Sequence, residues 1–185
     1  MRTELRVTGF GGQGIILAGY IIGKAAAVYD GKHATMVQAY GPEARGSATS
    51  AQVIIDTERV LYPYTRRMDV MLAMSQEGFD KFAPLVEKDG ILLYDEDLVD
   101  FDERPAVKVF EGVPATRYAE DLGRVMVANI VMLGFFTART GLVSPEAMKK
   151  GILSAVPKGT GDLNMKAFEK GFQHQPAGLT VGAGA

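Results

Sequence analysis

The first twenty residues place a glycine turn between a strand pattern and a helix pattern. Gly9, Gly11 and Gly14 have the spacing G-x-G-x-x-G, directly after the run at residues 5–8 and directly before the apolar run at residues 15–22. Glycines in this pattern permit a tight turn, a close approach of the backbone to a ligand, and close packing of helix on strand. The amides at the helix start and the helix dipole favour an anion. This segment is therefore predicted to be a strand, a Rossmann-like turn and a helix.

A nicotinamide dinucleotide site has a second requirement, which this sequence does not meet. Such a site has an acidic residue about 20 positions further on, at the end of the second strand, where it binds the ribose hydroxyls. The predicted second strand, residues 34–38, continues into Ala39 and Tyr40 without a carboxylate, and the nearest ones are Asp30 and Glu43. The turn is interpreted as an anion or cofactor contact. A true dinucleotide site and a purely structural turn stay open as alternatives.

A second motif follows the predicted second strand. Residues 40–47 read Tyr-Gly-Pro-Glu-Ala-Arg-Gly-Ser and begin about 30 residues after the Gly-Phe-Gly-Gly-Gln-Gly turn. The two motifs together resemble the gamma subunit of the 2-oxoacid:ferredoxin oxidoreductases, most closely the 2-oxoglutarate type. Residues 129–134 and 164–171 support the resemblance, so matching motifs span most of the chain.

The resemblance implies a multi-subunit enzyme in which this chain does not carry the chemistry. Thiamine diphosphate on other subunits attacks the 2-oxo carbon, carbon dioxide leaves, electrons pass through iron–sulfur clusters to ferredoxin, and coenzyme A receives the acyl group. The implied partners are the alpha and beta subunits, a delta subunit where one is present, and ferredoxin through the complex. Thiamine diphosphate, magnesium and the clusters are expected on other subunits, with no cofactor on this chain alone. Its implied role is to help form the coenzyme A site.

Two further hypotheses and the choice of substrate stay open at this point. The glycine turn alone would suit a free-standing nucleotide-binding enzyme, and the shortage of titratable groups would suit a purely structural subunit. Within the family, 2-oxoglutarate is the implied substrate, with pyruvate, branched 2-oxoacids and indolepyruvate as alternatives.

The two N-terminal motifs supply the candidate ligand contacts. The turn amides would hold phosphates, and the planar fork of Arg45 would bind a carboxylate or phosphate or would pair with Glu43. Tyr40 would stack on a flat ligand or pack at the strand end, and Gln13 would contact a ligand or lie in solvent. No catalytic residue and no metal ligand is predicted. The candidate residues are Gly11, Gly12, Gln13, Gly14, Tyr40, Glu43, Arg45 and Gly46.

Composition limits the function classes. The 185 residues include no cysteine, which excludes disulfides and any cysteine-held zinc or iron–sulfur cluster within this chain. The net charge is −2 and basic residues are scattered, so nucleic acid is not an expected partner. The apolar run at residues 125–138 is too short to span a bilayer, which needs about 20 residues. No apolar signal region is visible, so a cytoplasmic location is expected.

Alternating strand and helix patterns predict a three-layer α/β domain with a mostly parallel sheet. Residues 1–175 are predicted to form this single gamma domain, followed by a flexible tail at 176–185. Ligands bind beyond the carboxyl ends of strands in open α/β sheets, and the two N-terminal motifs are expected at that edge.

Three segments carry more specific expectations. The apolar run at residues 125–138 is interpreted as buried core, with a subunit interface as the alternative, and self-association of the isolated chain is expected. Asn129 within this run needs a partner for its amide, from backbone, ligand or another subunit. The acidic stretch beginning at Asp95 is interpreted as a solvated connection.

Overall fold

Strands and helices alternate along most of the chain. The computed structural model describes residues 2–39, 48–62 and 67–176. The strands are β1 (Thr3–Phe10), β2 (His33–Ala39), β3 (Ala48–Asp56), β4 (Val70–Ala73), β5 (Ile91–Asp95) and β6 (Val109–Val113). The helices are α1 (Ile15–Lys24), α2 (Gln76–Phe82), α3 (Ala115–Asp121), α4 (Ala128–Thr140), α5 (Pro145–Ala155) and α6 (Gly161–Gln173).

The six strands form one sheet in the order β2-β3-β1-β4-β5-β6. β1, β4, β5 and β6 are parallel to one another, whereas β3 is antiparallel to both β1 and β2. β2 therefore points the same way as β1, and only β3 is reversed. The prediction of a mostly parallel sheet is confirmed.

The second strand does not lie beside the first, as it would in a dinucleotide-binding βαβ unit. Residues 40–47 alone connect β2 to β3. Because a parallel crossover needs about a dozen residues or more, a connection of this length gives an antiparallel hairpin. The hairpin adds β3 to the edge of β1 and leaves β2 at the edge of the sheet.

Helices cover both faces of the sheet, which confirms the three-layer prediction. Leu5 and Val7 of β1 contribute to a large core with α1 and α3 to α6. Met71 of β4 and Phe110 of β6 contribute to a second core, with α2, on the other face. Inward-facing side chains alternate between the two cores along the strands, as the pleat of a strand requires.

The first helix begins three residues after its predicted start at Gly12. The sequence predicts one helix over residues 12–29, yet α1 begins at Ile15 and continues as a π-helical turn over Ala25–Tyr29. Gly12 and Gly14 have φ angles of 96° and 73°, which are left-handed and end the turn rather than begin the helix.

The apolar run at residues 125–138 lies inside the domain. Ala128 through Thr137 of α4 are all buried, so the interpretation as buried core is confirmed for this part of the run. Two residues of the run that precede the helix are exposed rather than buried: Val125 is 53% exposed and Met126 is 75% exposed. Among the described residues, no helix has both the length and the apolar character to cross a bilayer.

Candidate functional site

The glycine turn lies at the edge of the sheet where β1 ends. Phe10, the last residue of β1, is paired with Ala48, the first residue of β3. Ala39, the last residue of β2, is paired with Ser50. Both strands that border the second motif therefore meet the sheet edge at the level of the turn. Four of the predicted site residues lie outside the described residues: Tyr40, Glu43, Arg45 and Gly46.

Gln13 closes the glycine turn with two hydrogen bonds to Phe10. Its backbone amide donates to the Phe10 carbonyl over 3.2 Å, and its side-chain oxygen accepts from the Phe10 amide over 2.6 Å. The side chain therefore braces the turn. The sequence alone left this choice open, since a glutamine at a helix start has no single preferred role.

Gly11 and Gly12 form the exposed tip of the turn. Gly12 has a φ of 96°, and a Cβ atom added there would meet no atom of the described residues within 4 Å. An L-residue would be strained at this φ, but it would fit the domain sterically.

The N-terminus of α1 has no side-chain cap. Among the described residues no side chain caps its first amides, and its first turn contains no acidic residue. The first helical hydrogen bond runs from the Ala18 amide to the Gly14 carbonyl over 2.8 Å. The amides before Ala18 thus have no side-chain acceptor within residues 2–39, 48–62 and 67–176. Such amides, at the positive end of the helix dipole, favour an anionic acceptor.

Asn129 connects the turn to α4. The side chain is 3% exposed, and its Nδ2 donates to the Gly14 carbonyl over 3.2 Å. Gly14 has a φ of 73°, and a methyl group there would overlap Asn129 Nδ2. Of the partners considered from the sequence, the backbone is the one that the side chain binds.

Two other polar residues at this edge cap helices. Ser75 Oγ accepts from the Gly78 amide over 3.2 Å and caps α2. Asp95 is fully buried, so its interpretation as part of a solvated connection is wrong. Its carboxylate accepts from the Ala115 amide over 3.1 Å and from Thr116 Oγ1 over 2.7 Å, at the start of α3.

Burial raises the pKa of Asp95, although the hydrogen bonds from Thr116 and from the Asp97 amide act in the opposite direction. The sequence signal for this cap was weak, because five further acidic residues follow within eight positions and suggest a solvated stretch. What separates Asp95 from them is its position as the last residue of β5. In the described ranges, no group of three or more histidine, aspartate or glutamate residues is placed to hold a metal ion.

Comparison with known proteins gives one consistent family. The family model for pyruvate ferredoxin/flavodoxin oxidoreductase matches residues 4–174. The 2-oxoglutarate synthase subunit KorC of Methanocaldococcus jannaschii is 49% identical over 175 residues, which are 94% of each chain.

Two solved structures have the same fold. The gamma subunit of a keto/oxoacid ferredoxin oxidoreductase from Geobacter sulfurreducens has a TM-score of 0.83 and 43% identity, with 93% of this chain and 95% of that chain covered. The 2-oxoglutarate:ferredoxin oxidoreductase of Magnetococcus marinus, solved with 2-oxoglutarate, coenzyme A and succinyl-CoA bound, has a TM-score of 0.80 and 23% identity. It covers 92% of this chain, which corresponds to 30% of that longer chain.

Proposed function

Because this chain belongs to the pyruvate ferredoxin/flavodoxin oxidoreductase family, we propose that its glycine turn helps to bind coenzyme A in the assembled enzyme. The chain is the gamma subunit of a 2-oxoacid:ferredoxin oxidoreductase, and it is an enzyme only as part of that complex. The complex converts a 2-oxoacid and coenzyme A to an acyl-CoA and carbon dioxide while ferredoxin accepts the electrons. The proposed substrate is 2-oxoglutarate, which would give succinyl-CoA, since the KorC relative belongs to a 2-oxoglutarate synthase.

The single observation that supports the coenzyme A role is the exposed, uncapped start of α1. The turn at Gly11 and Gly12 is exposed, and the first amides of α1 have no side-chain cap from the part of the chain that the structure describes. Coenzyme A carries phosphate groups that suit such donors. The turn would hold the anionic part of coenzyme A, while thiamine diphosphate on another subunit supplies the acyl chemistry. Arg45, Glu43, Tyr40 and Gly46 belong to this proposal on sequence grounds.

A free-standing dinucleotide enzyme is the weaker hypothesis. β1 has β3 and β4 as neighbours, so the chain lacks the adjacent parallel second strand whose end holds the ribose in a dinucleotide fold. The sequence has no carboxylate at the end of β2 either.

Exposed apolar side chains support a protein partner near the turn. Phe10 is 37% exposed at the end of β1, and Val125 and Met126 are exposed just before α4, the helix that contacts Gly14. The other subunits of the oxidoreductase are the partners of this chain, and the alpha and beta subunits are the ones proposed to cover these side chains. A delta subunit, a cytoplasmic location and self-association of the isolated chain are further parts of the proposal.

The test is the effect of Gly12→Val on coenzyme A kinetics in the reconstituted complex. A Cβ atom at Gly12 meets no described atom within 4 Å, so valine is expected to obstruct approach to the turn rather than to displace the described core. Gly31→Val is the matched control, because Gly31 also has a positive φ, 65°, and a Cβ atom there would likewise meet no described atom within 4 Å. It follows the far end of the helical segment that starts at Ile15, about 20 Å away at 1.5 Å per residue.

Gly12→Val should raise the KM for coenzyme A or lower oxoacid oxidation far more than Gly31→Val, with similar losses of melting temperature in both. Arg45→Ala should raise the same KM by about 10-fold or more, since it removes a charge-assisted contact. If Gly12→Val and Arg45→Ala assemble and keep wild-type kinetics, the turn and the second motif are structural, and the structural-subunit hypothesis replaces the one proposed.

A further inference from the structure

We propose that Asn129 is a positioning residue for the glycine turn and that it acts through the Gly14 carbonyl oxygen. Its Nδ2 donates to that oxygen over 3.2 Å, across 115 positions of sequence. The inference rests on the function proposed above, in which the turn helps to bind coenzyme A. It adds a residue of α4 to the group that determines how well the turn does so.

The Gly14 carbonyl oxygen controls the direction of the first amide of α1. It accepts from the Ala18 amide over 2.8 Å as well as from Asn129. A peptide bond is planar and trans, so the Gly14 carbonyl and the Ile15 N–H share one plane and point in opposite directions. A donor that holds the oxygen therefore also fixes the Ile15 N–H, which is one of the donors at the start of the helix that have no partner within the helix.

The contact is fitted on both sides. Gly14 is in the left-handed region, and a methyl group on it would overlap Asn129 Nδ2. Asn129 is only 3% exposed, so its side-chain amide cannot replace this hydrogen bond with one to bulk water. A side chain at position 14 would disturb the close approach. A side chain without a donor at position 129 would remove the hydrogen bond.

α4 gives Asn129 a rigid support. The helix is buried over Ala128 to Thr137. It also crosses α6 at backbone contact, since a side chain at Gly134 would overlap the Phe168 carbonyl and one at Gly171 would overlap the Val131 carbonyl. A group on such an element holds its partner more firmly than a group on a loop. The turn is thereby attached to the rigid part of the domain.

The chemistry of the contact requires a donor at position 129. Leucine has nearly the shape of asparagine but cannot donate, so Asn129→Leu removes the hydrogen bond. Aspartate has the same shape, but its ionised form would direct lone pairs at the carbonyl oxygen, and only the protonated form can donate. Asn129→Asp therefore makes the contact dependent on pH.

The experiment measures the KM for coenzyme A and kcat in the reconstituted complex. Asn129→Leu should raise that KM by about 3- to 10-fold, the range for a lost hydrogen bond, with kcat at saturating coenzyme A close to the wild-type value. Asn129→Asp should have a KM that increases with pH over a range in which the wild-type KM does not change. Thr137→Val is the control, because Thr137 is a buried residue of the same helix whose Oγ1 donates to the Leu133 carbonyl over 2.7 Å. It should lower the melting temperature and leave the KM unchanged.

An unchanged KM for coenzyme A in Asn129→Leu overturns the inference, as does a change that Thr137→Val reproduces. If Asn129→Leu does not assemble, the Asp variant decides, and a pH-independent KM in that variant overturns the inference. Gly12→Val separates this failure from failure of the proposed function. If Gly12→Val raises the KM for coenzyme A and neither Asn129 variant does, only the positioning role of Asn129 fails. If none of the three variants changes this KM, the coenzyme A role of the turn fails too.

Discussion

Asp30 joins the end of the first helical segment to the start of α5. Its carboxylate accepts from Ser144 Oγ over 2.6 Å and from the Ser144 amide over 2.7 Å. Lys32 approaches the same carboxylate at 3.3 Å and donates to the Leu142 carbonyl over 2.6 Å. Ser144 also caps α5, since its side chain accepts from the Ala147 amide. Burial acts to raise the pKa of Asp30, but the hydrogen bonds from Ser144 and Lys32 outweigh it and lower the pKa.

Asp30→Asn should reduce the free energy of unfolding by about 1.5–3 kcal/mol at neutral pH, the range for hydrogen bonds to a charged group. A lowered folded pKa gives stability that is fully present above the unfolded pKa, about 3.9, and is lost as pH falls through the folded value. The wild type and the variant should therefore converge at low pH. Urea unfolding at a series of pH values measures the difference.

Asp95→Asn should change the free energy of unfolding with a pH dependence opposite to that of Asp30→Asn. The pKa of Asp95 is raised, so its folded state holds the proton more tightly than its unfolded state. The stability that the raised pKa contributes to the folded state is fully present below the unfolded pKa and is lost as pH rises through the folded pKa. The difference between wild type and Asp95→Asn should narrow towards high pH. A common trend for both variants would show that the pH dependence does not come from these two carboxylates.

At the scale of elements, the two later motifs of the sequence are the two sides of one helix crossing. Gly134 of α4 lies against the Phe168 carbonyl, and Gly171 of α6 lies against the Val131 carbonyl. Small residues at both positions let the two backbones approach closely. The sequence indicated each motif separately, but no local pattern relates residues so far apart along the chain. Their contribution to the site is indirect, through the support that α4 gives to Asn129.

Gly171→Ala and Gly134→Ala should each destabilise the protein by about 3 kcal/mol or more, at or above the upper end of ordinary overpacking, because backbone atoms must move. Gly23→Ala in α1 is the control. Among the described residues a methyl group there would meet only Val53 Cγ1, at 3.7 Å, so the higher helix propensity of alanine should stabilise the protein by up to about 1 kcal/mol. Thermal unfolding of the three variants measures the expected loss of stability in Gly171→Ala and Gly134→Ala and the expected gain in Gly23→Ala. Wild-type melting of Gly171→Ala would contradict the described crossing.

Across the whole molecule, the sequence predicted the existence of elements better than their partners. Apolar runs and the glycine spacing correctly indicated the strands, the three layers and the turn after β1. They did not indicate that β3 lies between β1 and β2, because a strand pattern does not specify its neighbour; the short connection at residues 40–47 was the only signal. Likewise, glycine spacing located the turn but not the positive φ angles of Gly12 and Gly14, which delay the helix to Ile15.

The isolated chain should not oxidise any 2-oxoacid. It has no cysteine to hold a cluster, and the resemblance assigns thiamine diphosphate to other subunits. An assay with thiamine diphosphate, magnesium, coenzyme A and either ferredoxin or a viologen dye measures this. Addition of the partner subunits should restore turnover, and activity of the purified chain alone would show that the gamma subunit carries chemistry of its own.

Assembly should depend on the exposed apolar residues that precede α4. Met126 is 75% exposed, and burial of such a side chain in an interface is worth about 1–2 kcal/mol, or roughly 5- to 30-fold in affinity. Met126→Asp should weaken binding to the thiamine-binding subunits by about that factor. Leu153→Asp on α5 is the control, since Leu153 is an exposed apolar residue as well, at 50%, whereas the hydrogen bond to Gly14 comes from α4. Titration of the labelled gamma subunit with its partners gives both affinities.

At saturating subunit concentrations the KM for coenzyme A should be normal in Met126→Asp, because the glycine turn and Asn129 are unchanged. This result would separate the binding of the subunit to its partners from its role in binding coenzyme A. If Leu153→Asp weakens assembly while Met126→Asp does not, the partner covers α5 rather than the surface beside the turn.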